Sequence, residues 1–181
     1  MEWLKTLMSW LKLEWPMQIN KDQLEFRKAK PEDLEEIVSL LADDFLGGKR
    51  EKFKIPLPKD YVLAFEAINK SPDNLLIVVD HPQKKVIGTM QLIFIPGLSY
   101  QGRSKAKIEA VRVNKNFRSQ GIGKMMMDWA VTKAKKQGCG AIQLVTSIER
   151  KDTHKFYHRF GFESESLIAM ELNLERHEAI R

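Results

Sequence analysis

Apolar and polar positions along this chain change their period several times, and each change marks a predicted element. Over residues 24–29 the pattern is that of a first strand. Leu34, Ile37, Val38 and Leu41 then recur at helical spacing, behind Pro31 at the first turn. Glu32, Asp33, Glu35 and Glu36 complement the positive end of that helix, and Gly47-Gly48 ends the region. A basic, proline-punctuated loop over 49–58 leads to a second helix with Tyr61, Val62, Phe65 and Ile68 inward. Ser71-Pro72-Asp73-Asn74 has turn chemistry. Residues 75–79 and 86–95 read as strands joined in a hairpin through Asp80-His81-Pro82-Gln83. A strand over 107–113 precedes a long amphipathic helix with Ile122, Met125, Met126, Trp129, Ala130 and Val131 on or beside one face, stopped by Gly138. A strand over 141–146, a short helix over 152–159 and a last strand over 167–174 complete the chain. The order predicts an α+β fold, with a mixed, mostly antiparallel central sheet flanked by helices.

The chemistry concentrates between the 107–113 strand and the long helix, in Arg118-Ser119-Gln120-Gly121-Ile122-Gly123. Glycines there let backbone approach a ligand closely, and the free N–H groups and dipole of the helix start favour an anion. Arg112, Lys115, Arg118 and Lys124 crowd the same loop, with Glu109 the one acid expected nearby. The alternative is a plain strand-to-helix turn. A dinucleotide-binding fingerprint is excluded, because Met126 stands where its third glycine would be.

Composition narrows the class. The 181 residues are 43% hydrophobic and 30% charged, enough for one globular domain with a real core. The single cysteine, Cys139, forbids an internal disulfide and fits a reducing cytoplasm. The net charge of +6 carries no long basic run, so a small polyanion accounts for it as well as nucleic acid does. His154 and His158 share an i, i+4 relation without an acid on that face, so no metal site is expected. Residues 1–16 hold Trp3, Trp10 and Trp15, with Trp3, Leu4, Leu7, Met8 and Leu11 at helical spacing. Lys5, Lys12 and Glu14 make this stretch too short and too charged to span a membrane. It is expected as an amphipathic extension before a single domain over 17–181. The other readings are an interfacial membrane helix and a segment upstream of a start at Met17.

With these motifs in order, the chain resembles the GCN5-related N-acetyltransferase (GNAT) superfamily over roughly 24–174, in its bacterial small-molecule-type branch. The likeness rests on the Arg/Gln-x-x-Gly-x-Gly/Ala motif, here Arg118 to Gly123, placed after Ile108-Glu109-Ala110-Val111-Arg112-Val113. It rests also on Phe156-Tyr157 followed by Phe160-Gly161-Phe162. The resemblance implies the acyl-CoA N-acyltransferase fold and acetyl-CoA as donor, with no metal. The diphosphate would lie on the backbone N–H groups of Gln120, Gly121, Ile122, Gly123 and Lys124, with Arg118 and Ser119 beside it. The pantetheine arm would pair with Val111, Arg112 and Val113, where the family usually has a bulge that splays this strand from the next. The family often has Asn where Arg150 stands, and Thr153 takes the place of a usual small Ala beside the cofactor.

The expected chemistry is direct transfer to a primary amine in a ternary complex. Glu109 is the candidate base that deprotonates the ammonium, directly or through water. Strand alternation places Glu109, Val111 and Val113 on one face and Ile108, Ala110 and Arg112 on the other. If the first face is the core side, burial raises the Glu109 pKa. The other reading pairs Glu109 with Arg112 or Lys107. Tyr157 falls at the family position that protonates the leaving thiolate; its alternative is a core aromatic like Phe156. Cys139, between two glycines, is a poor nucleophile candidate. The acceptor pocket is expected from 43–59 and 97–105, with Asp43 and Asp44 for a cationic acceptor or Lys49, Arg50, Lys52, Arg103 and Lys105 for an anionic one. A small amine is the expected substrate. A macromolecular amine and a non-catalytic acyl-CoA-binding regulatory module are the alternatives, and a homodimer through the apolar N-terminus or a C-terminal strand edge is open.

Overall fold

The computed structural model describes residues 19–83, 85–164, 169–172 and 174. They fall into two compact units, divided between Gln143 and Leu144.

The first unit is built on a sheet of strand order β1-β2-β3-β4-β5. A 3-10 turn, Lys21–Gln23, leads into β1, Glu25–Lys28. A second 3-10 turn at Pro31–Asp33 opens α1, Leu34–Ala42, and α2 is a single turn, Gly47–Arg50. The helix α3, Lys59–Lys70, returns the chain to the hairpin of β2, Asn74–His81, and β3, Lys85–Ile95. β4, Lys105–Val113, is followed by α4, Ile122–Lys136, and β5, Ala141–Leu144. β1 pairs with β2, β2 with β3 and β3 with β4, each antiparallel. The predicted α+β order holds.

Register decides which helix each strand residue meets. Leu76 and Val78 face Gln91 and Thr89 across β2 and β3. They pack with Ala29, Ile37, Leu40 and Phe65 in one core layer under α1 and α3. Ile77, Val79, Met90, Leu92 and Ile108 alternate with that set, so they share the opposite face. Ile122, Met126, Met127, Ala130 and Ala134 are the buried residues of α4, and Trp129 stacks on Phe26 of β1 with ring centroids 6.1 Å apart. The expected stripe of α4 lacked Met127 and Ala134. In α3 only Phe65 is buried, and Val62 is largely exposed. Thr89 is a polar group wholly inside, and its hydroxyl donates to the Ile77 carbonyl at 2.9 Å.

Arg27 on β1 ties this core to the start of α1. Its guanidinium reaches Asp33 Oδ2 at 2.6 Å and Asp80 Oδ2 at 2.8 Å. Desolvation pushes the Asp33 carboxyl up. The hydrogen bonds from Arg27 and from the Lys30 amide (2.7 Å) push it down harder, so its pKa falls below the usual carboxylate value. The native form therefore favours ionised Asp33 relative to the unfolded chain. That stability is present above the ordinary carboxylate pKa and is lost as pH falls through the lower native value. Asp33→Ala is expected to destabilise by about 2 kcal/mol at neutral pH, because it leaves the half-buried Arg27 guanidinium with Asp80 alone and the Lys30 amide without its acceptor. Urea unfolding should also show a shallower loss of stability on acidification in the variant than in the parent chain.

The second unit contains α5, Lys151–Arg159, whose buried residue is Tyr157. Of the strand expected over 167–174, residues 169–172 are described and lie in no strand; its other positions fall mostly outside the described residues. The 1–16 extension is outside them as well. Among the described residues no helix is long and apolar enough to cross a membrane.

Candidate acetyl-transfer site

The strand predicted to hold the base contains a local break in its pleat. Gln91 pairs with Glu109 and Thr89 pairs with Arg112, so two steps on β3 match three on β4. One extra residue is therefore accommodated at Ala110–Val111, and Ala110 has φ +54°. This is a β-bulge. It leaves one residue outside the ladder just before the end of the strand.

The bulge corrects the expected alternation. Beyond it the phase reverses, so Arg112 shares the face of Glu109, and Val113, opposite Gly88, joins the face of Ile108. The core residues of β4 are Ala106 and Ile108, on the face away from Glu109. Glu109 is not enclosed by apolar side chains: its side chain is 36% exposed, and its carboxylate meets Lys107 Nζ at 2.6 Å.

Next along the chain lies the cradle. A 3-10 turn, Lys115–Phe117, buries Phe117 and brings the chain to Ser119, φ +63°. Gly121 follows with φ +85° as the residue before α4, a left-handed conformation that favours glycine. Among the described residues no side chain caps this helix start, and no acid occupies its first turn. The free amides of the first turn and the positive dipole end are thus open to an anion. Gln120 serves the loop through its side chain. Its Nε2 donates to the Asn116 carbonyl (3.4 Å) and its Oε1 accepts the Ile19 N–H (3.3 Å).

The expectation that Glu109 is the one acid near these cations is overturned. The end of α1 delivers Asp43 and Asp44 to the same place. Asp43 meets Lys115 at 3.4 Å and Arg118 at 3.6 Å, and Arg118 also donates to the carbonyls of Val113 (3.0 Å) and Asp43 (3.2 Å). Asp44 lies 3.5 Å from Arg112 Nε and accepts the N–H groups of Leu46 (3.0 Å) and Gly47 (2.7 Å). Both carboxylates hold the site's own frame, at a sequence distance that periodicity does not register. That cap also corrects the reading of Gly47-Gly48 as a stop, since α2 starts there.

Three of the five acceptor-side cations are also engaged. Lys49 lies over the Phe45 ring at 3.8 Å, Arg50 pairs with Glu51 at 3.0 Å, and Arg103 donates to the Gly140 carbonyl. Tyr61 fastens the 49–58 loop, since its hydroxyl accepts the Lys52 N–H and donates to Glu51, both at 3.0 Å. The loop before β4 makes a left-handed turn through Tyr100 and Gln101 and exposes Leu98 and Tyr100.

In the second unit, Tyr157 is buried between Phe156 and Phe162, with ring centroids at 5.3 and 5.5 Å in edge-on geometry. Thr153 lies on the same helix. His154 and His158 are bonded to the carbonyls of Ser147 (2.8 Å) and Phe162 (3.0 Å). Burial pushes the Cys139 thiol up, which disfavours a nucleophilic thiolate at neutral pH.

A bulged strand feeding a glycine cradle at a helix start defines the class, and comparison with known proteins agrees. The model of the acetyltransferase (GNAT) family matches residues 34–162, and the chain belongs to that family. A crystal structure of a transcriptional regulator from Bacillus halodurans C-125 is 42% identical with a TM-score of 0.79, over 83% of this chain and 99% of that one. The uncharacterized N-acetyltransferase YhdJ of Bacillus subtilis is 44% identical over 52 residues, 28% of this chain and 37% of that protein. The aminoalkylphosphonate N-acetyltransferase of Salmonella typhimurium is 36% identical over 56 residues, 31% of this chain and 36% of its own length. The chain spans about a third of the length of these two curated relatives.

Proposed function

We propose that the protein is an acetyl-CoA-dependent N-acetyltransferase acting on a primary amine of a small molecule by direct attack in a ternary complex. The observation that carries this reading is the Ala110–Val111 bulge next to an uncapped helix start at Gly121, within one compact unit of a GNAT-family chain.

The residues present fit acetyl-CoA. The first-turn amides of α4, the glycine without a side chain and the neighbouring cations suit a diphosphate. The amides of Gln120, Gly121, Ile122, Gly123 and Lys124 would hold it, with Arg118 and Ser119 beside them, while Val111, Arg112 and Val113 would pair with the pantetheine amides as an added strand does. Acetyl-CoA supplies the acetyl group as a thioester. Glu109 takes the proton of the incoming ammonium, freeing its lone pair. A backbone N–H of the bulge donates to the acetyl oxygen as it gains charge. The nitrogen bonds to the acetyl carbon, the C–S bond breaks, and Tyr157 gives its hydroxyl proton to the departing thiolate. The second proton shed by the nitrogen restores the tyrosine hydroxyl, directly or through water, and Glu109 releases the first to solvent. The small amine is supported by the name of the aminoalkylphosphonate relative.

A regulatory acyl-CoA-binding module is the second reading, favoured by the name of the Bacillus halodurans relative. Calorimetric titration with acetyl-CoA, 3′-dephospho-CoA and ATP, followed by an amine screen for thiol release, separates the two. Tight acetyl-CoA binding, weak ATP binding and amine-dependent thiol release are expected. Binding with no release on any amine supports the regulatory module, and no binding of acetyl-CoA overturns both readings.

A further inference from the structure

The segment before β1 is fastened onto the cradle. Ile19 N–H is held by Gln120 Oε1, Asn20 caps the following 3-10 turn through the Asp22 N–H (3.1 Å), and Lys21 opens that turn. Lys21 is thereby brought over Gly121: a Cβ built on that glycine would meet Lys21 Nζ at 3.0 Å and Cε at 3.6 Å. This places an ammonium at the positive end of a helix of 15 residues, where the dipole disfavours it.

The other cations of this loop have carboxylate partners. Lys115 and Arg118 are on Asp43, and Lys124 is on Asp128 at 2.8 Å. Lys21 has no carboxylate partner among the described residues. A cation set against a helix start that, among the described residues, also lacks a capping side chain leaves a gap in the electrostatics that a multivalent anion fills from both sides. We propose that Lys21 clamps the diphosphate of a CoA-type ligand against the first-turn amides of α4. The proposal rests on the acetyl-CoA reading above and deepens it. Lys21 lies before residues 34–162, so the family match itself assigns it no role. Gln120 is then a positioning residue, since it ties the segment to the loop through Ile19.

The test is calorimetric binding of CoA, 3′-dephospho-CoA and pantetheine to the full chain and to its Lys21→Met and Lys21→Arg variants. Lys21→Met is expected to weaken CoA and dephospho-CoA alike, by roughly tenfold, the scale of one charge-assisted hydrogen bond. Pantetheine, which lacks the diphosphate, should bind all three proteins equally. Lys21→Arg should restore most of the affinity, and the salt dependence of CoA binding should be shallower in Lys21→Met. Equal CoA affinity in Lys21→Met and the parent overturns the clamp and leaves the acetyl-CoA reading standing. Loss for CoA with none for dephospho-CoA overturns the diphosphate assignment in favour of the 3′-phosphate. Loss of pantetheine binding would show a general disturbance of the site and also overturns it. No CoA binding by the parent chain removes the acetyl-CoA reading itself and the clamp with it.

Discussion

Tyr157→Phe is expected to lower turnover by about 10²- to 10⁴-fold, the range for loss of a general acid, while acetyl-CoA affinity stays within about twofold. The substitution isolates the hydroxyl. Tyr157 is buried with edge-on contacts to Phe156 and Phe162, and a phenylalanine ring keeps all of that packing. The thermal melt reads what the hydroxyl itself contributes to stability, and a kinetic loss in a variant that stays folded belongs to the missing O–H. Glu109→Gln is the companion variant. It keeps size and hydrogen-bonding capacity, removes the charge and releases Lys107 from its 2.6 Å contact. If Glu109 is the base, the loss in Glu109→Gln shrinks as pH rises, because a larger share of the amine arrives unprotonated. If the ion pair is purely structural, the variant turns over like the parent at every pH. Steady-state thiol release across pH, with a thermal melt of each variant, decides both. Parent-level turnover in the two variants together would sink the proposed mechanism.

The large elements were legible because each is specified locally. Pro31 and the acids after it announce α1, the spacing of Ile122, Met126 and Ala130 announces α4, and Gly138, with φ +70°, closes it. The bulge left one trace in the strand itself: Ile108 to Val113 alternates except at the apolar doublet Ala110-Val111, which a reading of strict alternation passes over. The pairing of Gln91 with Glu109 and of Thr89 with Arg112 shows that the pleat slips at that doublet. The resemblance had implied a bulge on this strand. The pairing of Asp43 and Asp44 with Lys115, Arg118 and Arg112 joins residues some 70 positions apart, as the separation of 75 between Asp43 and Arg118 illustrates. Such contacts leave no periodic trace in a single sequence. The side-chain role of Gln120 and the placement of Lys21 were missed for the same reason. One signal was available: Asp43-Asp44 followed two residues later by Leu46-Gly47 has the shape of an aspartate-capped turn.

That corner yields the second large effect, on stability. Gly47→Ala is expected to destabilise by about 3 kcal/mol, the upper range for overpacking a closed site. A Cβ on Gly47 would overlap the Leu41 carbonyl oxygen and press on the Leu41 carbonyl carbon at 3.1 Å and Ala42 Cα at 3.3 Å. These are backbone atoms at the end of α1, so no rotamer change relieves the clash. The end of α1 or the start of α2 must shift. The same corner holds Asp44 on the amides of Leu46 and Gly47 and against Arg112, so the shift reaches the frame around the bulge. Gly48→Ala is the control. Its Cβ would meet only the Ala42 carbonyl oxygen, at an ordinary 3.6 Å, in a helical turn where alanine is the better residue. Gly48→Ala should match the parent or gain a few tenths of a kcal/mol. For a chain of this size, a loss of about 3 kcal/mol lowers Tm by roughly 6–12 °C. Calorimetric melts of both variants should show that gap. Coincident melting of the two would mean that the α1–α2 corner yields freely, and that the Asp44–Arg112 contact does not depend on the close approach at Gly47.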